Sequence, residues 1–526
     1  MDAIGIDIGS TNVKAVLLTD DGRIAARASR ALVWHREGPV AETDADDLWQ
    51  AVIDAVAELG RTAGGLAGVA TIGCTAQYSS TVPVGPDLRP LAPMRLYLDQ
   101  RGTDHCFDIL GRHEDAFETW IERHPIPPIG GGLALGHLLG FQLDDPDLHA
   151  VTTAYLEPVD YVVARLTGVV AATQGSMFAS QLIDNRTLSA TSYDAELLAM
   201  AEVDASRLPP IVATGSVVGV VSGPARERTG LGPGVAVVAG LTDSCAAGLA
   251  TGAARAGRVG IAIGTTSVVL TTAPALGLDA DHEIVTMPGT SATRYLVSAE
   301  NGLGGRGVEH VLTHLVQATD VLGDHAAADP FAGFDAALGA SPVGSRGVRF
   351  LPWLSGSLAP QADPTMRGGF IGVSLESQRV DLVRAAAEGV AHNLRWLLDP
   401  VESFTGESAD QVVLTGGAAR SPGWAQILAD VLQRPVHAVA DSGHAGARAV
   451  AAWARDQASS AGTALVADGG EVSSADADAD ADADAESPIS ASYEPDATTA
   501  AIHDQAQGEF TAAFEALRPL ALGAPT

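Results

Sequence analysis

Two segments far apart in the chain share one pattern: an apolar strand, a short turn of glycine and hydroxyl residues, and a second apolar strand. The first is AIGIDIGSTNVKAVLL at residues 3–18, and the second is RVGIAIGTTSVVL at residues 258–270. Each pattern predicts a β-hairpin whose tip offers hydroxyl groups and uncrowded backbone N–H groups. Such a tip suits phosphate oxygens. A chain that carries two of them is expected to fold as two similar halves that hold a polyphosphate across a cleft.

A third segment, QVVLTGGAARSPGW at residues 411–424, predicts a buried strand, a Gly-Gly turn and a helix. Ser421 and Pro422 occupy the N-cap and the first position of that helix. Backbone without side chains beside a helix N-terminus suits a nucleotide that lies flat against it. The first hairpin also contains Lys14, the only lysine of the 526 residues. Any mechanism that needs a lysine must therefore use this one.

Composition limits the class of protein. A chain of 526 residues favours two domains, and its formal net charge of −33 argues against nucleic acid and acidic membranes as partners. No apolar run approaches the roughly 20 residues of a membrane span. The first strand leaves no room for a signal peptide, and the three cysteines show no CxxC spacing. We therefore expect a cytoplasmic protein with buried, reduced cysteines.

Part of the acidity is concentrated near the C-terminus. From Asp456 to Leu517 the chain has no Lys or Arg, and residues 475–486 form an Ala-Asp repeat that ends in Glu486. A segment with low hydrophobicity and charge of one sign cannot bury enough surface to fold. We predict a disordered insertion at about residues 459–497, which acts as a solvated linker; a partner-binding arm is the alternative.

The order of predicted elements suggests a division of the chain into residues 1–238 and residues 239–526. The second part is expected to open with the apolar strand 235–239 and then to repeat the strand and helix order of the first. Residues 318–345 are expected to form a second surface insertion. A cleft between the two parts would bring the two hairpins together.

The two hairpins and the Gly-Gly turn resemble, in order, the phosphate-1, phosphate-2 and adenosine motifs of the sugar kinase, actin and Hsp70 superfamily. Within it the chain resembles the FGGY carbohydrate kinases, a likeness carried by four further segments at residues 97–101, 239–248, 350–360 and 493–520. The resemblance implies an α/β fold of two ribonuclease H-like domains, of the actin-like ATPase type, around a central cleft. It also implies ATP and Mg²⁺ as cofactors.

Phosphoryl transfer requires positioned phosphates, a metal-binding carboxylate and a base. No GxxxxGK[ST] motif occurs, which excludes P-loop chemistry. Asp7 is suited to Mg²⁺ through water, or alternatively caps its hairpin turn. The resemblance implies an ATP site, including its phosphate groups, formed by Ser10, Thr11, Lys14, Thr265, Thr266, Gly305, Gly416, Gly417, Ala418 and Ser421.

Asp243 is the candidate base. It follows an apolar strand and precedes the helix-like run Ala-Ala-Gly-Leu-Ala, so position alone is equally compatible with a simple helix cap. The resemblance aligns this residue with the catalytic aspartate of the FGGY kinases, and it also implies a role at the metal. A helix N-terminus is expected to keep the carboxylate ionised, as a base requires.

The acceptor pocket is expected at the loop after strand 68–74. The resemblance implies contacts to the substrate from Gln77, Tyr78, Asp99, Asp243 and Ser244, although Asp99 and Arg101 are equally compatible with a structural ion pair. The chain departs from xylulose kinases at Tyr78 and Ser244. It departs from the family signature at His137 and Gly140, where Lys and Trp are usual. Such changes affect substrate identity more than fold.

We therefore predict an ATP-dependent kinase for a primary hydroxyl of a small sugar or polyol, a pentulose such as xylulose being favoured. Glycerol, ribulose and erythritol are alternative acceptors. A non-catalytic nucleotide-binding protein of the actin-like or sensor type is the alternative from another class, and Asp7, Lys14, Asp243 and Thr265 argue against it. A homodimer is compatible with the sequence.

Overall fold

The computed structural model describes residues 1–321, 323–325, 327–460, 485–520 and 522–523. The first half contains, in chain order, β1 (Asp2–Ile8), β2 (Asn12–Leu18), β3 (Ile24–Ala31), β4 (His35–Glu37), β5 (Val40–Thr43), α1 (Ala45–Ala63), β6 (Val69–Ala76), β7 (Val82–Val84), β8 (Met94–Arg95), α2 (Thr103–Arg112), α3 (Ala116–Arg123), α4 (Ala134–Asp144), α5 (Pro146–Val151), β9 (Ala154–Leu156), α6 (Pro158–Thr167), β10 (Ala172–Thr173), α7 (Ala195–Ala201), β11 (Ile211–Val212), β12 (Val217–Val220), α8 (Gly223–Thr229), β13 (Ala236–Val238) and β14 (Leu241–Thr242).

The second half contains α9 (Asp243–Thr251), β15 (Val259–Ile263), β16 (Thr266–Ala273), β17 (Leu278–Asp279), β18 (Ile284–Pro288), β19 (Tyr295–Leu303), α10 (Gly305–His310), β20 (Thr319–Asp320), β21 (Gly323–Asp324), α11 (Phe334–Ala340), β22 (Arg349–Leu351), β23 (Gly369–Ile371), α12 (Arg379–Thr405), β24 (Val412–Gly416), α13 (Pro422–Leu432), β25 (Val436–Val439), α14 (Ala445–Ser460), β26 (Ile489–Tyr493) and α15 (Ala500–Leu517). A π-helical turn, Val311–Val316, continues α10.

The two large sheets repeat one arrangement. In the first, of order β12-β13-β6-β1-β2-β3, β1 pairs antiparallel with β2 and parallel with β6. In the second, of order β17-β18-β19-β16-β15-β24-β25-β26, β15 pairs antiparallel with β16 and parallel with β24. Both predicted hairpins therefore exist, each next to a parallel strand. Helices cover the sheets, so the chain is α/β with two similar halves.

Three expectations about organisation are wrong. Strand 235–239 does not open the second half, because β13 and β14 both pair with β6 of the first sheet. The acidic insertion was expected to reach residue 497, but β26 pairs with β25 and completes the second sheet; residues 461–484 of that expectation lie outside the described residues. The surface insertion 318–345 contains α11, which buries Phe334 and Leu338 against α12 and α13. The division at residue 238 itself stays a prediction.

Helix α14 follows the second sheet in sequence but packs on β1 and β6 of the first. Close approach is possible because Gly5 and Gly73 face it: a Cβ on Gly5 would collide with the carbonyl oxygen of Ala447, and one on Gly73 would lie 2.7 Å from the Cβ of Ala454. Together with α9, this helix forms a buried apolar layer between the two sheets. The layer fixes how the walls of the cleft face each other. None of the described helices has both the length and the apolar character that a membrane span needs.

Candidate active site

Three strands of the first sheet end side by side and bring the candidate residues together. Ala76 at the end of β6 pairs with Ile8 on one side and with Thr242 on the other. The backbone N–H of Gln77 donates to the carbonyl oxygen of Ile8 at 2.8 Å. Asp7, Gln77 and Asp243 therefore lie at the same edge of the sheet, where ligands of α/β proteins bind.

Asp243 is the first residue of α9 and is not its cap. The N-cap is Thr242, whose hydroxyl oxygen accepts from the backbone N–H of Cys245, while Asp243 Oδ1 accepts from the N–H of Ser244 at 2.8 Å. The side chain is reachable from the cleft, yet protein atoms surround it. This burial and the neighbouring charge of Asp7 raise the pKa of Asp243 to about 7. The N–H contacts at the start of α9 lower the pKa of Asp243 but do not offset these two effects; that the helix N-terminus keeps the carboxyl ionised stays a prediction.

Asp7 and Lys14 are cross-strand partners in the first hairpin. Burial raises the pKa of Asp7, and the charge of Lys14 opposes that rise. The first turn of α14 approaches this carboxylate closely, since a Cβ on Gly446 would lie 3.1 Å from Asp7 Oδ2. Neither oxygen of Asp7 forms a hydrogen bond within the described part of the chain, so the carboxyl group is available to a ligand in the cleft.

The donor set fits a magnesium ion that is shared with a nucleotide. Within the described residues no cluster of three or more His, Cys, Asp or Glu side chains could hold a metal by itself. Mg²⁺ commonly uses one or two carboxylates together with phosphate oxygens and water. Asp7 and Asp243 provide the two carboxylates of such a site. They lie at the edge of a cleft whose opposite side carries glycine-rich loops.

A cavity of about 750 Å³ lies beside this edge and is large enough for a nucleotide. Most of the residues predicted to bind ATP line it, namely Lys14, Thr265, Gly305, Gly416, Gly417, Ala418 and Ser421. Ser10, Thr11 and Thr266 are at the tips of the two hairpins and are not part of its lining. The structure thus brings the two hairpins and the Gly-Gly turn to one cavity.

The Gly-Gly turn has a backbone that only glycine accommodates well. Gly416 has φ +84°, and a Cβ there would collide with the carbonyl oxygen of Ile263. The Ser421 hydroxyl caps α13 by accepting from the N–H of Trp424, and it donates to Asp335 Oδ1 at 2.6 Å. Ser421 therefore shapes the wall of the cavity, and its hydroxyl is already engaged within the protein.

The acceptor side of the cleft contains a glutamine side chain whose amide oxygen is available to a ligand. Gln77 is buried, and its side-chain oxygen Oε1 has no hydrogen-bond partner within the described residues. Ser244 Oγ lies 3.3 Å from Ser298 Oγ of β19, in the second half. Burial and the charges of Glu300 and Asp243 raise the pKa of the Tyr78 phenol. These polar groups surround Asp243, as expected for a pocket that binds hydroxyl groups.

Asp99 has the structural role that the sequence left open. Its side chain is fully buried, and both carboxylate oxygens accept from Arg101, which also pairs with Glu42 at 2.9 Å. The backbone N–H of Ala41 donates to the second oxygen. In this structure Asp99 is an internal ion-pair partner with no free oxygen for a substrate.

The departures at residues 137 and 140 alter packing. His137 is buried and its Nδ1 lies 3.2 Å from the hydroxyl oxygen of Thr81. A Cβ on Gly140 would collide with Arg95, whose guanidinium carbon lies 3.9 Å from the centre of the Phe141 ring. Arg95 therefore fills the space that a larger residue 140 would need.

Sequence reasoning missed several groups at the site. The cavity lining also includes Arg306, Glu309, Asp329, Phe331, Phe334, Asp335, Arg420, Trp424, Ser442, Gly443 and His444. Behind the acceptor loop, Glu157 Oε2 accepts from the N–H of Ser80 at 3.0 Å, and burial raises the pKa of this carboxyl well above its ordinary value. The one sequence signal for Glu157 is that it is a charged residue directly after the apolar run that precedes α6. No local signal marked the others.

Comparison with known proteins identifies the family. Residues 3–250 match the N-terminal domain of the FGGY family of carbohydrate kinases, and residues 259–455 match its C-terminal domain. The chain belongs to this family. It is 26% identical to a xylulose kinase of Bacillus subtilis over 438 residues, which are 82% of this chain and 84% of that protein. It is 23% identical to a gluconokinase of the same species over 445 residues, 82% of this chain and 83% of that protein.

The fold agrees with this assignment. A crystal structure of a xylulose kinase from Lactobacillus acidophilus superposes with a TM-score of 0.81 at 20% identity and covers 98% of each chain. The predicted two-domain fold of the actin-like ATPase type is confirmed. The chain is therefore a carbohydrate kinase, a phosphotransferase of a family that uses ATP, generally with Mg²⁺. A cytoplasmic location, a homodimer and the absence of nucleic-acid partners stay predictions.

Proposed function

We propose that this kinase transfers the γ-phosphoryl group of ATP to a primary hydroxyl of a small uncharged sugar, and that the acceptor is a pentulose such as xylulose. The relatives by name include both a xylulose kinase and a gluconokinase, so an uncharged ketose and a carboxylate sugar are the two classes to separate. Polar, uncharged groups at Gln77, Tyr78 and Ser244 support an acceptor that is recognised through its hydroxyls.

The observation that carries the proposal is the position of Asp243 at the same sheet edge as Asp7 and Gln77, with a pKa raised to about 7. A carboxyl of this kind accepts the hydroxyl proton of the acceptor near neutral pH, where a general base is most effective. Its Oδ1 is oriented by the N–H of Ser244. Gln77 has a free side-chain oxygen beside it to hold a hydroxyl of the substrate.

Lys14 and Asp7 act on the other reactant. Lys14 lines the nucleotide cavity and, as the only lysine of the chain, is placed to neutralise phosphate charge. Asp7, together with Asp243, would hold the Mg²⁺ of the nucleotide, which supplies charge neutralisation when bound. The glycine-rich walls let backbone N–H groups reach the phosphates from both hairpins. Positioning of the two reactants is the main contribution of the protein in such a transfer.

Release of ADP by the purified protein is the test, with MgATP and a panel of xylulose, ribulose, glycerol, erythritol and gluconate. Asp243→Asn should lower turnover about 10²–10⁴-fold, because a general base typically contributes that much. ATP binding, measured by calorimetry, should remain. The product should carry its phosphate on a primary carbon, which ³¹P and ¹³C NMR would show.

The matched control is Asp47→Asn, which removes an exposed carboxylate in the first turn of α1. It should keep wild-type turnover. Wild-type turnover by the Asp243→Asn variant would disprove the role of the base. Absence of ADP release with every uncharged sugar of the panel would disprove the proposed acceptor class.

A further inference from the structure

Glu300 projects into the cleft from the half of the molecule opposite the acceptor loop. In β19, Asn301 points into the core, where its side-chain N–H groups donate to the carbonyl oxygens of Ala359 at 2.9 Å and Asn393 at 3.1 Å. Ala299 is buried as well. Because side chains alternate along a strand, Ser298 and Glu300 share the other face.

That face contacts α9, the helix that begins at Asp243. Ser298 Oγ contacts the hydroxyl of Ser244, the residue after Asp243. Glu300 is exposed and lies two residues further along β19, nearer the tip of the second hairpin. It pairs there with Val268 of β16. Its carboxylate therefore borders the same space as Asp243.

The surroundings of Glu300 are those of an acceptor pocket. Burial, and after it the charges of Glu300 and Asp243, raise the pKa of the Tyr78 and Tyr97 phenols of the first half, whereas Arg306 and Arg36 lower that of Tyr97. Tyr97 is 43% exposed, so its ring is open to the cleft. Among the described residues, no Lys, Arg or His pairs with Glu300. In the described part of the chain this carboxyl group thus lies beside the proposed base without an ion-pair partner, and burial raises its pKa.

We propose that Glu300 determines acceptor specificity: it accepts hydrogen bonds from hydroxyl groups of an uncharged sugar and excludes sugars that carry a carboxylate. A like charge in a confined cleft opposes entry of an anion, whereas a polyhydroxy ligand provides the donors that a carboxylate needs. Asp7 and Asp243 add to the negative charge of this pocket. The inference rests on the proposed function, since it assigns the class of substrate at that site.

The test compares kcat/KM for xylulose and for gluconate in the wild type, in Glu300→Gln and in Glu300→Ala. Glu300→Gln keeps the size and a hydrogen-bonding oxygen but removes the charge. It should raise the gluconate-to-xylulose ratio of kcat/KM by on the order of tenfold or more, chiefly through KM for gluconate. Glu300→Ala should also lower kcat/KM for xylulose by about tenfold, because the hydroxyl contact is lost.

A second readout separates specificity from a merely structural role. That readout is the split between KM and kcat: Glu300→Gln should lower KM for gluconate and leave kcat for xylulose near the wild-type value, whereas a structural defect would lower kcat for both sugars. Glu376→Gln, on an exposed turn of the second half, is the matched control and should change neither the ratio nor the KM values. Calorimetry with ATP should give the wild-type affinity for all variants.

The outcomes separate this inference from the proposed function. If the wild type phosphorylates xylulose but Glu300→Gln leaves the ratio unchanged, Glu300 is not a specificity residue and the kinase assignment stands. If the wild type prefers gluconate to every uncharged sugar, both the inference and the proposed acceptor class are wrong. A raised ratio that arises from a lower KM for gluconate would support the inference.

Discussion

The raised pKa of Asp243 leads to a quantitative expectation for the pH dependence of the reaction. A base must be deprotonated to accept the hydroxyl proton, so activity is present above the pKa and is lost as the pH falls through it. With a pKa of about 7, the ionised fraction is about one tenth at pH 6 and about nine tenths at pH 8. The rate should therefore rise about tenfold over this interval.

The assay must report the free enzyme, because phosphates and Mg²⁺ would change the charge around the carboxyl. Initial rates are measured from pH 5.5 to 8.5 with sugar and MgATP both well below their KM, and ADP is quantified in quenched samples so that no coupling enzyme experiences the pH change. Asp47→Asn should reproduce the wild-type curve. A rate that is constant between pH 6 and pH 8 would show that Asp243 titrates like an ordinary carboxyl, and the reasoning from burial and from Asp7 would be refuted.

Three further predictions concern stability. Gly73→Ala should lower the free energy of unfolding in urea by about 1–3 kcal/mol, because the new methyl group meets α14; Gly111→Ala, at a helical position with open space, should not lower it. His392 and His503 are buried, and burial lowers the pKa of each, that of His392 to about 3. Because the unfolded chain then binds more protons than the folded one, the free energy of unfolding should fall as the pH drops from about 6.5 towards 3. The fall should be smaller in a variant with Gln at both positions. Deletion of residues 487–493 should lower Tm by several degrees in calorimetry, since β25 loses β26, one of its two partner strands; an unchanged Tm would contradict the pairing.

Features that depend on neighbouring residues were predictable from the sequence. The helix predicted to begin at Pro422 is observed as Pro422–Leu432, and the buried strand predicted before the Gly-Gly turn is Val412–Gly416. The reason is physical: Ser421 and Pro422 start a helix, and the Gly-Gly turn cannot continue a strand. The same holds for the hairpins, in which a short turn of glycine and hydroxyl residues separates two apolar strands. Most of the predicted nucleotide residues belong to these local motifs, and for that reason the structure finds them in one cavity.

Features that depend on distant pairing were not predictable. β13 has the apolar pattern of any buried strand, and only its partner β6 assigns it to the first sheet. β26 lies in an acidic, lysine-free segment, yet His437 Nδ1 lies 2.8 Å from the Ser492 hydroxyl and the two strands pair. The engagement of Asp99 with Arg101, and the exposure of Glu300 to the cleft, likewise follow from the folded arrangement.

The position of α14 has a consequence for synthesis of the protein. The last strand of the first sheet, β14, ends at Thr242, but the helix that covers β1 and β6 begins at Ala445. At about 5–20 residues per second, a ribosome needs roughly 10–40 s to make the intervening chain. During that time one face of the first sheet, with the bare backbone of Gly5 and Gly73, lacks its native cover. The first sheet is therefore complete only after α14 has been made, and a chain terminated before Ala445 would leave this sheet face open to aggregation.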